Sequence, residues 1–276
     1  MGEPSIYRAR AGAWLAEACD AVVSVFFPAG CRICEQLLTR ASRVPICGEC
    51  LASFVPLGKN VCETCGRSMS SADSTGAEGR LCPICRMPPG QEERTYAFDR
   101  ARSYAAYDGA LVRAILLLKY ERMEPLGAWF AERLLEVVKE EALETDVVVP
   151  VPLHRDRERE RGYNQADLLA RPLARRLGLP HRAVLLVRTR PRPDKYVLSM
   201  EERWESVRGA FATRPGSQVD NLRVLLVDDV MTTGATLDAC ARTLLKAGAK
   251  SVIGLTVARA AKNPIPVPSH SPRGAR

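Results

Sequence analysis

The run Val224-Leu-Leu-Val-Asp-Asp-Val-Met-Thr-Thr-Gly-Ala-Thr236 constrains this chain more than any other stretch. Its apolar start reads as a buried strand. The strand ends in two adjacent carboxylates, Asp228 and Asp229, and a short Thr/Gly turn follows. Leu237 to Gly248 then reads as a helix closed by glycine. A strand that feeds such a turn and then a helix N-terminus is a device for holding a phosphate. Backbone N–H groups and hydroxyls converge on the anion, and the helix dipole favours it. The neighbouring acid pair suits hydroxyl groups or a hydrated cation. Phosphate beside a diol describes a ribose 5-phosphate. The plainer reading, two solvated acids at a strand end before an ordinary cap, needs all of these features to fall in order by chance.

The cysteines divide the chain. Eight of ten lie between Cys31 and Cys85 as four CxxC pairs: Cys31/Cys34, Cys47/Cys50, Cys62/Cys65 and Cys82/Cys85. A CxxC turn places two thiolates on one side of a tight knuckle, and two knuckles complete a tetrahedron around Zn²⁺. Sequential pairing is the simplest arrangement: Cys31, Cys34, Cys47 and Cys50 in one site, Cys62, Cys65, Cys82 and Cys85 in the other. The spacing also permits a crossed arrangement. Disulfides are the competing use of these thiols, but they are rare in a cytosolic chain. Two closed four-cysteine zinc sites are structural, and they let a segment with too small a core fold at all. Cys19 and Cys240 sit in apolar helical contexts and read as packing residues.

With 276 residues the chain can bury one large core or two smaller ones. No run reaches the roughly 18 apolar residues that a membrane span needs. Trp14 to Phe27 is apolar but carries Glu17 and Asp20, which suits an amphipathic helix docked on a neighbouring domain better than a signal peptide. The expectation is a cytoplasmic protein. The formal charge of +8, with much of the surplus between Arg155 and Arg214, permits polyanion partners without requiring them.

The organisation expected is a double zinc ribbon over 28–90, an α/β module over 96–260 and a disordered basic tail over 261–276. Ser68 to Arg80 reads as a loop and Met87 to Gly90 as a linker. In the α/β module, Leu111 to Tyr120, Leu126 to Leu143 and Gln165 to Leu177 read as helices. Asp146 to Val149, Val184 to Arg188, Arg223 to Val227 and Ser251 to Val257 read as strands. Such alternation predicts a parallel sheet flanked by helices, with ligands at the carboxyl ends of the strands. Between Pro150 and Gln165 the chain carries Arg155-Asp-Arg-Glu-Arg-Glu-Arg161. This is either a self-paired, solvated helix face or, in the same sheet as a phosphate loop, a set of guanidinium donors for pyrophosphate. Asn164 is placed to cap the helix that follows.

The Val224–Thr236 run resembles the signature of type I phosphoribosyltransferases: four apolar residues, two acids, two apolar or small residues, Thr-Thr-Gly and a further Thr. Together with the paired CxxC ribbons after Phe26-Phe27-Pro28, Leu118-Lys-Tyr120, Pro150-Val-Pro-Leu-His154, Arg161-Gly-Tyr-Asn-Gln-Ala166 and Arg208-Gly-Ala-Phe211, the chain resembles the ComF-type proteins over roughly residues 20 to 260. Those are bacterial competence-associated members of that superfamily. The resemblance implies a Rossmann-like parallel sheet that binds 5-phosphoribosyl-1-pyrophosphate (PRPP) with Mg²⁺. Asp228 and Asp229 would meet the ribose hydroxyls, Thr232, Thr233, Gly234, Ala235 and Thr236 would wrap the 5′-phosphate, and Val230 and Met231 would belong to the same PRPP-binding stretch. Arg155, Arg161 and Lys195 would face the pyrophosphate. Lys195 and Ser206 stand where the family pattern has glutamine and asparagine. The resemblance further implies phosphoribosyl transfer to an acceptor that no segment identifies, a role in DNA uptake, and single-stranded DNA and a competence helicase-like protein as partners. The alternative is a non-catalytic protein that handles single-stranded DNA and uses the phosphate cradle for binding or regulation.

Overall fold

The computed structural model describes residues 29–38, 42–70, 80–86, 96–191 and 199–260. The 14–27 segment, Cys19, most of the 68–80 loop, the 87–90 linker, Lys195 and the 261–276 tail lie outside the described residues. Among the described residues no helix is long and apolar enough to cross a membrane.

Among its described residues the ribbon carries a short helix, α1 (Gly48–Ala52). The α/β module follows as β1 (Arg100–Ala106), α2 (Gly109–Tyr120), α3 (Pro125–Glu140), β2 (Val147–Pro150), α4 (Arg155–Arg161), α5 (Gln165–Leu177), β3 (Leu186–Arg188), α6 (Met200–Glu205), β4 (Phe211–Thr213), β5 (Arg223–Met231), α7 (Ala235–Lys246) and β6 (Ser251–Arg259). Local chemistry sets the helix starts. The Asp108 carboxylate accepts from the Gly109 N–H at 2.7 Å, Pro125 occupies the first turn of α3 and Ser199 forms a capping box with Glu202 on α6. Asn164 caps α5, its oxygen accepting from the Ala166 N–H at 3.1 Å.

Four strands form a parallel sheet in the order β1–β6–β5–β2. Successive strand residues face opposite sides, and both sides are covered. Val148, Leu225, Val227, Ile253 and Leu255 join one core with α2, α3 and α5. Val147, Val149, Val224, Leu226 and Val252 join the other with α7. Double coverage explains why β5 and β6 read as nearly continuous apolar runs. The ribbon straddles this division. Cys31, Cys50 and Phe54 belong to the first core, where Phe54 meets the Trp129 ring edge-on at 5.6 Å. Cys62, Cys65 and Cys82 belong to the second.

Three sequence readings need correction. β5 runs past the acids to Met231, because Asp228, Val230 and Met231 still pair with Thr256, Ala258 and Arg259 of β6. The strand read at Val184 to Arg188 shortens to β3 and pairs antiparallel with β4, outside the main sheet. The free edge of β2 is already taken: Val148 donates to the Pro180 carbonyl at 2.9 Å and accepts from the Arg182 N–H at 3.0 Å. β1 escaped the sequence reading because Arg102 and Ser103 interrupt its apolar pattern, although both are buried. The Arg155 to Arg161 run is the helix α4, in keeping with the helix-face reading. His154 caps it, none of its residues is buried, and the left-handed Gly162 ends it.

Helices α3 and α5 cross at Gly127, where a β-carbon would meet the Leu168 carbonyl oxygen at 2.7 Å. Gly127→Val is therefore expected to overpack the crossing and cost about 1–3 kcal/mol. Denaturant unfolding of the variant against the parent checks this.

Candidate functional site: a phosphate-type loop beside a paired carboxylate

The carboxyl ends of β1, β2, β5 and β6 bring the site together. Asp229 is buried, and its Oδ2 lies 2.9 Å from Lys119 Nζ at the end of α2. Burial opposes the lysine's charge, but Asp229, and then Asp228, outweigh it and raise the lysine's pKa. The lysine's contribution to stability is thus present below the ordinary lysine value and is lost as pH rises through the raised one. Asp228 stays half-exposed and accepts from the Asp229 N–H at 2.8 Å. Burial also raises the Tyr107 phenol, which sits within electrostatic reach of Lys119 and Asp229. Lys119 was quoted above only as part of a motif. Its side chain proves to be the counter-ion of the acid pair, a partnership between α2 and β5 that sequence spacing does not reveal.

After Met231 the chain turns through Thr232 and Thr233 into Gly234, whose φ of 86° is left-handed. Glycine is required there twice over. A side chain would be strained, and its β-carbon would meet Met231 Cε and Tyr96 Cε1 at 2.8 Å. The N-cap Gly234 brings no side chain to close α7, so its first turn opens toward the loop, where the helix dipole favours an anion. The Thr233 hydroxyl accepts from the Ala235 N–H at 3.3 Å, and Arg203 of α6 donates to the Thr232 hydroxyl at 3.3 Å. Thr236 lies half-exposed in that first turn.

The basic run meets this site unevenly. Arg161, at the end of α4, donates to Gln165 and stacks over the Tyr120 ring at 5.1 Å, next to Lys119. Tyr163 donates to the Leu118 carbonyl, and Asn164 donates to the Val151 carbonyl at 3.0 Å, tying this turn to α2 and to the exit of β2. Arg155 stands exposed at the first position of α4. Arg157 and Arg159 pair along the same helix with Glu160 and Asp156 at 3.3 and 3.9 Å. The solvated, self-paired helix face thus describes the middle of the run, and Arg161 leaves it for the cleft.

The eight ribbon cysteines gather into two groups, Cys31/Cys34/Cys47/Cys50 and Cys62/Cys65/Cys82/Cys85, with ligand atoms within 4.8 Å of one another. This is the sequential pairing. Backbone N–H groups aim at sulfur: Cys47 at Cys31 Sγ (3.3 Å), Cys50 at Cys47 Sγ (3.4 Å) and Cys82 at Cys62 Sγ (3.3 Å). Burial works against ionising Cys31, but the backbone groups of Cys34, Cys47 and Ile33 bring its thiol down to about 6. Preformed thiolate cages of this size fit two structural zinc ions. Cys240 is fully buried in the second core, as a packing residue should be. A separate groove of about 740 Å³ runs along the flank of α7 between Trp204, Phe211, Arg242 and Lys246. It is distinct from the loop.

Lys119→Met leaves Asp229 buried without its cation and is expected to cost about 2–4 kcal/mol; Lys119→Met with Asp229→Asn should recover at least half of that. Paired unfolding curves give the comparison. Elemental analysis is expected to find two zinc ions per chain, falling to one in a Cys82→Ser/Cys85→Ser variant, in keeping with the two cysteine groups.

The double zinc ribbon family profile matches residues 22–86, and the phosphoribosyl transferase domain profile matches residues 165–271. The DNA utilization protein YhgH of Salmonella typhi is 31% identical over 221 residues, covering 74% of this chain and 94% of that protein. Competence protein ComFC of Bacillus subtilis (strain 168) is 28% identical over 219 residues, covering 78% of this chain and 84% of that protein. Competence protein F of Haemophilus influenzae is 36% identical over 116 residues, covering 42% of this chain and 51% of that protein. By the 31% identity over 94% of the Salmonella typhi protein, and by both profiles, the chain belongs to the ComF family, with a double zinc ribbon carried on a type I phosphoribosyltransferase fold.

Proposed function

We propose that the Asp228–Thr236 loop binds PRPP with Mg²⁺ and that the chain transfers its phosphoribosyl group to an acceptor during DNA uptake. One observation carries this reading: an acid pair, a left-handed glycine turn and a helix N-terminus follow one another at the carboxyl end of a central parallel strand. The 5′-phosphate then sits on the Thr232–Thr236 amides and hydroxyls. The half-exposed Asp228 takes the ribose diol, with Asp229 behind it, its charge held by Lys119. Arg161 and Arg155 face the pyrophosphate, and Lys195, outside the described residues, is a further candidate from the sequence alone. A hydrated Mg²⁺ arriving with PRPP would be held beside the Asp228 carboxylate and would supply charge neutralisation for the leaving pyrophosphate.

In the reaction the bond from C1 to pyrophosphate oxygen breaks, the pair leaves with pyrophosphate, and an acceptor nucleophile forms the new bond to C1. Positioning and electrostatics supply most of the acceleration. The names of the relatives, a DNA utilization protein and two competence proteins, support a role in handling incoming DNA. The basic surplus of the chain is compatible with contact to a single strand, whose binding should weaken steeply with salt.

Titration calorimetry of PRPP with Mg²⁺ is expected to show saturable binding by the parent. An Asp228→Asn/Asp229→Asn variant should bind at least tenfold more weakly. Single-stranded DNA added as a second titrant tells whether the two share the loop. Absence of PRPP binding by a folded, zinc-loaded parent overturns the transferase reading and leaves the loop as a cradle for nucleic-acid phosphate.

A further inference from the structure

Arg259 closes β6 and is 97% withdrawn from solvent, with a relative exposure of 3%. Its guanidinium joins two parts of the chain. Nε donates to the Cys65 carbonyl, in the knuckle of the second cysteine group, at 3.1 Å. Nη1 donates to the Met231 carbonyl at 3.0 Å and to the Thr232 carbonyl, both in the phosphate-type loop. The next loop carbonyl, that of Thr233, accepts from the Tyr96 hydroxyl at 2.9 Å. Three successive carbonyls are therefore drawn to one side. A peptide unit is planar and trans, so each C=O opposes the N–H of the following residue. Anchoring the carbonyls of Met231, Thr232 and Thr233 turns the N–H groups of Thr232, Thr233 and Gly234 the other way, as an anion nest requires.

The knuckle itself is seated hard on β1. Ala101 donates to the Thr64 carbonyl at 2.7 Å. Arg102 donates to the Glu63 carbonyl at 2.9 Å. A β-carbon on Gly66 would lie 2.5 Å from the Ala101 carbonyl oxygen.

We propose that Arg259, with Tyr96, is a positioning residue through which the second four-cysteine group sets the amide geometry of the phosphate loop. The first group, on the opposite face of the sheet, has no such connection among the described residues. The second zinc site is then more than a fold staple: its loss loosens the loop. The proposal deepens the reading of the loop as a PRPP site and rests on it for its purpose, though not for its test.

Amide hydrogen exchange, followed by peptide, reads the strut without any ligand. In Arg259→Gln and Tyr96→Phe, exchange across 231–238 is expected to accelerate at least tenfold, with 224–227 unchanged and two zinc ions retained. Arg259→Lys should recover part of the protection. Gly66→Ala, which displaces the knuckle and spares every cysteine and Arg259, should act in the same direction. Cys31→Ser/Cys34→Ser should leave 231–238 at the parent rate. PRPP titration of the same set is expected to weaken at least tenfold in Arg259→Gln. Parent-like exchange across 231–238 in both Gly66→Ala and folded Arg259→Gln overturns the strut. Uniform acceleration throughout the sheet also overturns it, in favour of a purely structural role. A parent that binds no PRPP removes the ligand reading, and the exchange data still decide the coupling.

Discussion

The outer edge of β1 is where the two modules become one structure. A parallel sheet with a bare edge strand exposes a row of unpaired backbone groups. Here the ribbon covers them: Leu57 donates to the Tyr104 carbonyl, Ala106 to the Val55 carbonyl and Ala101 to the Thr64 carbonyl. A ribbon of this size cannot hold that shape by apolar burial alone, so the edge is only as firm as the thiolate cages behind it. Each cage sits over a different face of the sheet, and each face has its own core. Packing, edge protection and metal binding are thus one arrangement, with the Arg102 to Glu141 ion pair at 2.7 Å tying the far end of α3 into the same seam.

The site inherits its polarity from that arrangement. Parallel strands all deliver their exits to one end, so β1 brings Tyr107, β2 brings the Pro150–His154 turn and β5 brings the acids and the loop. Charges gather there as opposites. Lys119 neutralises the buried Asp229, Asp228 keeps its exposure, and Arg161 leans on Tyr120 at the rim. The left-handed Gly234 lets the backbone double back at the start of α7 without a side chain colliding with Tyr96. The result is a loop built of backbone, with charged side chains around it.

Much of this was legible in residues alone, because local rules govern it. The Asp228–Thr236 pattern identified strand, turn and helix. Asn164 and Gly178 bounded α5 where the sequence placed it. The CxxC spacing fits two cages, and the tertiary structure chose the sequential pairing. What local rules could not decide was strand partnership. β1 carries Arg102 and Ser103 among its apolar residues, and only the Ser103 to Thr256 hydroxyl contact at 2.6 Å and the Arg102 contacts reveal how they are accommodated. β3 looked like a sheet strand, but residues 180–182 had already claimed the edge it would have needed.

The sequence by itself determined most of the longer elements, the four CxxC knuckles and the strand–turn–helix of the loop, since each follows from side-chain chemistry at short spacing. The tertiary structure alone decided which distant groups meet. Lys119 reaches Asp229 across 110 positions, and Arg259 reaches Cys65 across 194. No periodicity encodes such pairs. They exist because a parallel sheet carries distant segments to a common end, where burial leaves a charge or a carbonyl nowhere to turn but to its partner.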